Sequence, residues 1–343
     1  MPRKVTLRDI AKHADVSLST VSQVLNNRPN VSAEMRQHVM KVAAELGYKQ
    51  KVEADGTLTY KLSTVGVITK SRDNDPLIVN PFYSYILAGV ERECQRHNIN
   101  LMYANLEVDT RNHATNFPAM LLDDIVDGVI VIGAFLEETI ADISRRTNQN
   151  LVLVDGYTSD DISFDSVLID NIKGAIGAVS YLIENGHEHI GLVGSQPDAY
   201  PSILERRQGY LLALDQHGID HTYIEDSALD RADAFAATLR LLKRHPDITA
   251  LFACNDNVAI GAMNAVREFG MSIPDDISIV GFDDIDIAQE VMPPLTTMHV
   301  DKVFMGAMAL RHLRDRAADP YRPPVKALIG THLIERSSVR RLE

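Results

Sequence analysis

The 343-residue chain has no tryptophan and only two cysteines, Cys94 and Cys254. Two thiols so far apart make no disulfide framework, and a reducing compartment is expected. No apolar run approaches the roughly 20 residues that span a bilayer. The start, MPRKVTLRDI, lacks the apolar core of a signal peptide. A cytoplasmic protein is therefore expected. Enzyme signatures are missing too. There is no G-x-S-x-G elbow, no phosphate loop of the form G-x-x-x-x-G-K with Ser or Thr after it, and no G-x-G-x-x-G following a strand. His187-Glu188-His189 lacks the i, i+4 spacing that puts two imidazoles on one helix face, and it falls in the turn NGHEHIG. Cys254 has the surroundings of a small buried apolar residue, not of a nucleophile. No catalytic residue, metal or cofactor is expected.

Charge is present but uneven. Residues 1–50 hold eight Lys and Arg against four carboxylates, a net of +4, while the whole chain is −13, which leaves −17 for the remainder. A basic head on an acidic body suits a head that meets phosphate and a body that avoids it. The length predicts two or three domains, and a hydrophobic fraction of 45% suffices for a large core.

The head organises the rest. Thr6, with Asp9 three residues on, forms a capping-box pair ahead of the helical repeat Leu7, Ile10, Ala11 and Ala14. His13 to Val16 is long enough only for a tight turn, in which Asp15 tolerates a left-handed backbone. Ser17 starts a second helix. Its Val21, Val24 and Leu25 face inward, whereas Leu18, Ser19, Ser22, Gln23 and Asn26 line the opposite side. Ser32 caps a third helix with Met35, Val39, Val42, Ala43 and Leu46 inward, and Gly47 ends it. Two short helices on a tight turn, braced by a third, make a helix-turn-helix. Thr6, Ser17, Thr20 and Ser22 carry hydroxyls suited to phosphates, and Gln23 and Asn26 carry amides that read or brace base edges.

Residues 50–61 are polar and weakly helical, a linker between domains. From Leu62 strands and helices alternate. Strands are predicted at 63–69, 99–105, 128–133, 150–155, 166–170, 189–194, 249–254 and 277–282, and one more within 325–336. Helices are predicted at 82–97, 111–122, 137–146, 172–184, 203–216, 232–243, 257–269 and 302–314. Such alternation in two tandem sets implies two lobes, each a parallel sheet flanked by helices. Lobe 1 is expected at about 62–160 and 291–322, and lobe 2 at about 161–290 and 323–343. Ligands of open α/β sheets sit at the carboxyl ends of the strands. Asp155, Asn255 and Asp283 all follow or close predicted strands and are cleft candidates.

The stretch TLRDIAKHADVSLSTVSQVLNN, followed by VSAEMRQHVMKVAAELGY, resembles the amino terminus of the lac-repressor family of bacterial transcription regulators. The resemblance extends through ACNDNVAIGAMNAVREFG and IPDDISIVGFDDIDIAQEVMPPLTTM and covers nearly the whole chain. It implies a helix-turn-helix DNA-binding domain at 1–49, a hinge at 50–61, and an effector-binding and dimerisation domain at 62–343 built like a periplasmic sugar-binding protein. The chain would cross between lobes near 158–164, 288–296 and 320–325. In the family a hinge-helix leucine wedges into the minor groove. Here Gln50 and Lys51 replace the usual Pro-Asn pair, and the nearest leucine is Leu58. The resemblance also puts Arg206, three residues before Gly209, and the aromatics Phe82 and Tyr83 against the ligand. Tyr157 and Phe282 are further candidates. Val300 stands where relatives often have a polar cleft residue, and without tryptophan any stacking on a sugar ring falls to Phe or Tyr.

The combined reading is a cytoplasmic, ligand-responsive repressor. As a homodimer it would set the helix from Ser17 to Asn26 of each subunit into a pseudo-palindromic double-stranded operator. Leu18, Ser19 and Gln23 would read bases. A sugar is the expected effector, with a purine or other non-sugar ligand as the alternative; a transport receptor without gene regulation is the competing class. The extra heptad tail that makes some relatives tetramers is not expected after 339–343, so the resemblance implies a dimer.

Overall fold

The computed structural model describes residues 5–25, 31–46, 62–72, 81–109, 111–122, 125–147, 149–159, 164–319 and 322–343. The head contains α1 (Leu7–His13), α2 (Leu18–Leu25) and α3 (Ala33–Glu45). Thr6 and Asp9 form the capping box, since each side chain accepts from the other's backbone N–H. Asp15 takes the left-handed backbone of the turn at φ 53°. Ile10, Ala11, Ala14, Val21, Val24, Leu25, Val39 and Ala43 make one buried core, with Met35, Val42 and Leu46 packed against it. Each large aliphatic buried there contributes roughly 1.5–3 kcal/mol, which such a small bundle needs.

The body begins with β1 (Thr64–Arg72), α4 (Pro81–Arg96), β2 (Asn100–Val108), β3 (Ala114–Asn116), β4 (Gly128–Ile132), α5 (Glu137–Thr147), β5 (Asn150–Val154) and β6 (Asp165–Ile169). It continues with α6 (Asn171–Glu184), β7 (Ile190–Val193), α7 (Pro201–Gln216), β8 (Tyr223–Glu225), α8 (Arg231–Arg244), β9 (Ala250–Ala253), α9 (Asp256–Glu268), β10 (Ser278–Asp283), α10 (Ile287–Glu290) and β11 (Thr296–His299). It closes with α11 (Lys302–Ala318), β12 (Lys326–Ile329) and β13 (His332–Ile334). One sheet runs β12-β6-β5-β4-β1-β2-β3 and the other β13-β11-β10-β9-β7-β8. All pairings are parallel except those of β3 with β2 and β13 with β11. Parallel strands buried on both faces explain the continuous apolar runs GVIVI and NLVLV.

The sheets correct the expected lobe boundaries. β6 pairs with β5 and with β12, so 165–169 and 326–329 belong to the first sheet. β11 pairs with β10, so 296–299 belongs to the second. The crossings therefore follow Ile169, His299 and Ile329. The crossings expected near 158–164, 288–296 and 320–325 are thus displaced along the chain. The real crossings are tight links at strand ends. The single strand expected within 325–336 is two, one in each sheet.

The helix expected at 111–122 is also absent. Asp109 Oδ1 accepts from the N–H groups of Arg111 and His113 in a turn, with Asn112 at φ 65°. Pro118 precedes only a single 3-10 turn, Ala119–Leu121. Proline and β-branched Thr115 outweigh the apolar spacing there.

Candidate ligand cleft and nucleic-acid interface

The polar centre of the body forms where strand ends of the two sheets approach each other. Asp155 directly follows β5 and adopts φ 53°; Asp283 ends β10 at φ 109°. Strain of this kind gathers at ligand sites. Arg206 comes from α7, which Gly209 lets lie hard against α6. A Cβ at Gly209 would stand 2.6 Å from both the Ala175 Cβ and the Ile172 carbonyl oxygen. That contact brings Arg206 to the start of α6, where its Nε donates to Asn171 Oδ1 at 2.9 Å. Its Nη1 donates to the Cys254 carbonyl at 2.6 Å, and its Nη2 lies 3.0 Å from Asp283 Oδ1. The guanidinium also stacks over the Phe282 ring, 3.8 Å from its centroid. Each of the three guanidinium nitrogens meets a partner, so Arg206 is held in one orientation while buried.

Tyr83, on α4, donates to Asp155 Oδ2 at 3.0 Å. Asp155 Oδ1 is buried with no hydrogen-bond donor among the described residues. Burial pushes the Asp155 carboxyl up to about 6, against the pull of Arg206 and the Tyr83 hydroxyl. Burial likewise raises Asp283, with Arg206 and Lys302 opposing. Asp256 is pushed up to about 8 by burial and by neighbouring Asp283. It accepts from Thr297 Oγ1 and from the Ile285 N–H, tying α9 to both ends of the β10–β11 connection.

Three engaged residues escaped the sequence reading. Asn171 is fully buried and donates to Glu205 Oε2 at 2.9 Å, to Tyr157 Oη at 3.2 Å and to the Ile169 carbonyl at 3.3 Å. Glu205 in turn accepts from Tyr157 Oη at 2.8 Å. Lys70, near the carboxyl end of β1, reaches Tyr200 at the start of α7. The signal for Asn171 and Lys70 was the same strand-end position that singled out Asp155.

Other candidates sit elsewhere. Asn255 caps α9 by accepting from the Val258 N–H at 2.8 Å, and it is its neighbour Cys254 that meets Arg206. Phe82 is buried with its ring edge against Tyr83. Val300 is wholly buried and apolar. His187 is buried between Thr249 Oγ1 and the Arg340 carbonyl, a structural tie. Burial pushes the Cys254 thiol up to about 12. Among the described residues, no group of His, Cys, Asp and Glu is arranged to hold a metal ion, and no helix is long and apolar enough to cross a membrane.

In the head, the Thr6 hydroxyl is taken up by its cap, donating to Asp9 Oδ2 at 2.8 Å. Ser17 Oγ accepts from the Thr20 N–H at 3.0 Å and meets Thr20 Oγ1 at 2.8 Å, which fixes the start of α2. Leu18, at the start of α2, is 40% exposed. Gln23 is half-buried, and Ser19 and Ser22 lie within α2. Asn26 and Leu58 fall outside the described residues. α3 braces the turn through His38 Nε2, 3.0 Å from the Ala14 carbonyl, and through Arg36 Nη1, which donates to the Val24 carbonyl.

Comparison with known proteins agrees with both halves. Residues 6–51 match the family described as bacterial regulatory proteins, lacI family, and residues 179–339 match the periplasmic binding protein-like domain. The ribose operon repressor of Haemophilus influenzae is 32% identical over 92% of each chain. The chain belongs to the lacI family of bacterial regulatory proteins. The probable transcriptional repressor ExuR of Bacillus subtilis is also 32% identical, over 98% of this chain and 99% of its own. A solved complex of the transcriptional regulator CelR with cellobiose superposes with a TM-score of 0.70 at 28% identity, covering 98% of this chain and all of that one. Family membership gives the exposed face of α2 and the Arg206 centre a common setting: a DNA-binding head on a two-lobed ligand-binding body.

Proposed function

We propose that the chain is a sequence-specific DNA-binding repressor that acts as a homodimer on a pseudo-palindromic operator and responds to a sugar-like effector in the cleft between its lobes. The observation that carries this reading is the Arg206 centre. A rigid guanidinium, the carboxylates of Asp155 and Asp283 and an amide converge at strand ends from both sheets. Vicinal hydroxyls, each both donor and acceptor, match that set. The unmet Asp155 Oδ1 supplies an acceptor that a ligand hydroxyl would satisfy.

Leu18, Ser19 and Gln23 are the proposed base readers, with Asn26 reading or bracing base edges, Ser17, Thr20 and Ser22 on the phosphates, Thr6 fixing the start of α1 through its cap, and Leu58 at the minor groove. One head makes too few contacts for specificity, and two heads on one rigid dimer supply the rest. The ligand acts by favouring one arrangement of the lobes, which resets the spacing of the heads. The cleft is a binding site and not a catalytic one, since its thiol is buried and protonated and its polar groups hold one another.

The test is a gel shift of the full-length protein on DNA upstream of its own gene, with and without a panel of mono- and disaccharides and nucleobases. A retarded band whose intensity changes with one of the sugars is expected. Absence of any duplex binding at low ionic strength refutes the repressor reading. A response to nucleobases alone refutes the sugar.

A further inference from the structure

Lys70 differs from Arg206. Arg206 is matched by Asp283, but among the described residues Lys70 has no ion-pair partner. Its ammonium donates to the Ala134 carbonyl at 2.6 Å, to Tyr200 Oη at 3.0 Å and, at 3.4 Å, to Asn112 Oδ1. It also sits 4.6 Å from the centroid of the Tyr200 ring and 5.6 Å from that of Phe135. All these neighbours are neutral. A half-buried lysine surrounded by dipoles and ring faces is oriented without being neutralised, and that arrangement leaves its charge available to an anion.

Its place in the fold links it to the Arg206 centre. Ala134 follows Gly133, and a Cβ at Gly133 would lie 3.3 Å from the Tyr83 hydroxyl, the group that donates to Asp155. Tyr200 is the residue from which α7 starts, and Arg206 projects from the same helix. The 16-residue α7 thus turns its positive end toward Lys70. The lysine and the helix terminus add positive potential at one end of a site whose other end is rich in carboxylates.

We propose that Lys70 receives an anionic substituent of the effector, so that the ligand is an acidic sugar, bearing a carboxylate or a phosphate, and not a neutral one. This rests on the sugar reading of the cleft. The hydroxyls of such a ligand face Arg206, Asp155 and Asp283, and its anion faces Lys70. A charge-assisted hydrogen bond at a partly dehydrated site separates the acid from its neutral parent by about tenfold or more in affinity.

Calorimetry on the full-length protein tests this with matched pairs: galactose and galacturonate, glucose and glucuronate, glucose and glucose 6-phosphate, ribose and ribose 5-phosphate. In at least one pair the acid should bind about tenfold more tightly than its parent. The carboxylate and phosphate arms tell which anion it is. Lys70→Gln should bring the acid-to-neutral affinity ratio toward one, and Lys70→Arg should restore it. A native ratio at or below one in every pair overturns the proposal, and so does a ratio unchanged by Lys70→Gln. In either case Arg206-dependent binding of the neutral sugar leaves the sugar cleft standing. If no sugar of either kind binds, the cleft reading itself falls and takes this one with it.

Discussion

Asn171 and Arg206 are joined by a 2.9 Å hydrogen bond from Nε to Oδ1 that spans the packed faces of α6 and α7. The bond exists only because the two helices touch at Gly209. Gly209→Ala should therefore act at a distance. Its methyl would meet the Ala175 Cβ and the Ile172 carbonyl at 2.6 Å, and the backbone must yield. A cost of about 1–3 kcal/mol is expected from overpacking of this kind. The same displacement moves Arg206 off Asn171, so effector response should weaken along with the denaturant midpoint. A variant that loses stability but keeps full ligand affinity would separate the packing role from the site.

Arg206→Ala should abolish ligand response while operator binding stays measurable, because α2 and the guanidinium belong to separate domains. The change also strands Asp283, whose carboxylate is nearly buried. Removing one partner of a buried pair costs roughly 3–5 kcal/mol, so the melting temperature should fall. Arg206→Lys keeps the charge, loses the fork, and should lose ligand affinity with less damage to stability. Titrating the operator complex with effector, for both variants, checks the pair. Retained response in either one refutes the role.

Much of this site was legible from residue order because one rule, strand end facing cleft, needs only periodicity. It put Asp155 and Asp283 at strand ends, which is where the structure has them, and the family resemblance pointed to Arg206, which lies beside Asp283. What escaped depended on packing that periodicity does not encode. Asn171 fell just outside the helix expected at 172–184, yet α7 turns it into the hub that joins Arg206, Glu205 and Tyr157. Asn255 obeyed the strand-end rule and proved to be a helix cap. The lobe crossings were misplaced for a similar reason. A chain that leaves one sheet at Ile169 and starts α6 at Asn171 carries no compositional sign.

Gln23 offers the most direct test at the nucleic-acid face. Its amide suits adenine N6 and N7, whereas arginine in its place suits guanine O6 and N7. Gln23→Arg should shift the preferred base at one symmetric pair of operator positions, with a discrimination of about 1–3 kcal/mol. Selection from a randomised operator library reads this out. Because Gln23 is only half-buried and no bond from its side chain holds the head together among the described residues, the fold should tolerate the change. An unaltered preference would remove Gln23 from the base-reading set.

Asp155 predicts a pH dependence whose sign differs between folding and binding. Its carboxyl is raised from 3.8 to about 6 in the folded chain, chiefly by burial. The unfolded chain therefore ionises it first. The stability it contributes is fully present below about pH 3.8 and is lost as pH rises through about 6. The shift corresponds to about 3 kcal/mol. Relative to Asp155→Asn, the parent should thus lose about 2 kcal/mol of that stability between pH 4.5 and 7.5 in paired denaturant titrations. Effector binding runs the other way. A ligand hydroxyl that donates to Oδ1 favours the ionised carboxylate, so affinity should fall as pH drops below about 6, with protons released on binding near that pH. In Asp155→Asn both slopes should flatten. Calorimetry between pH 5 and 7.5 in buffers of different ionisation enthalpy counts those protons. A parent affinity that stays level across this range would show that the ligand does not use Asp155 as its acceptor.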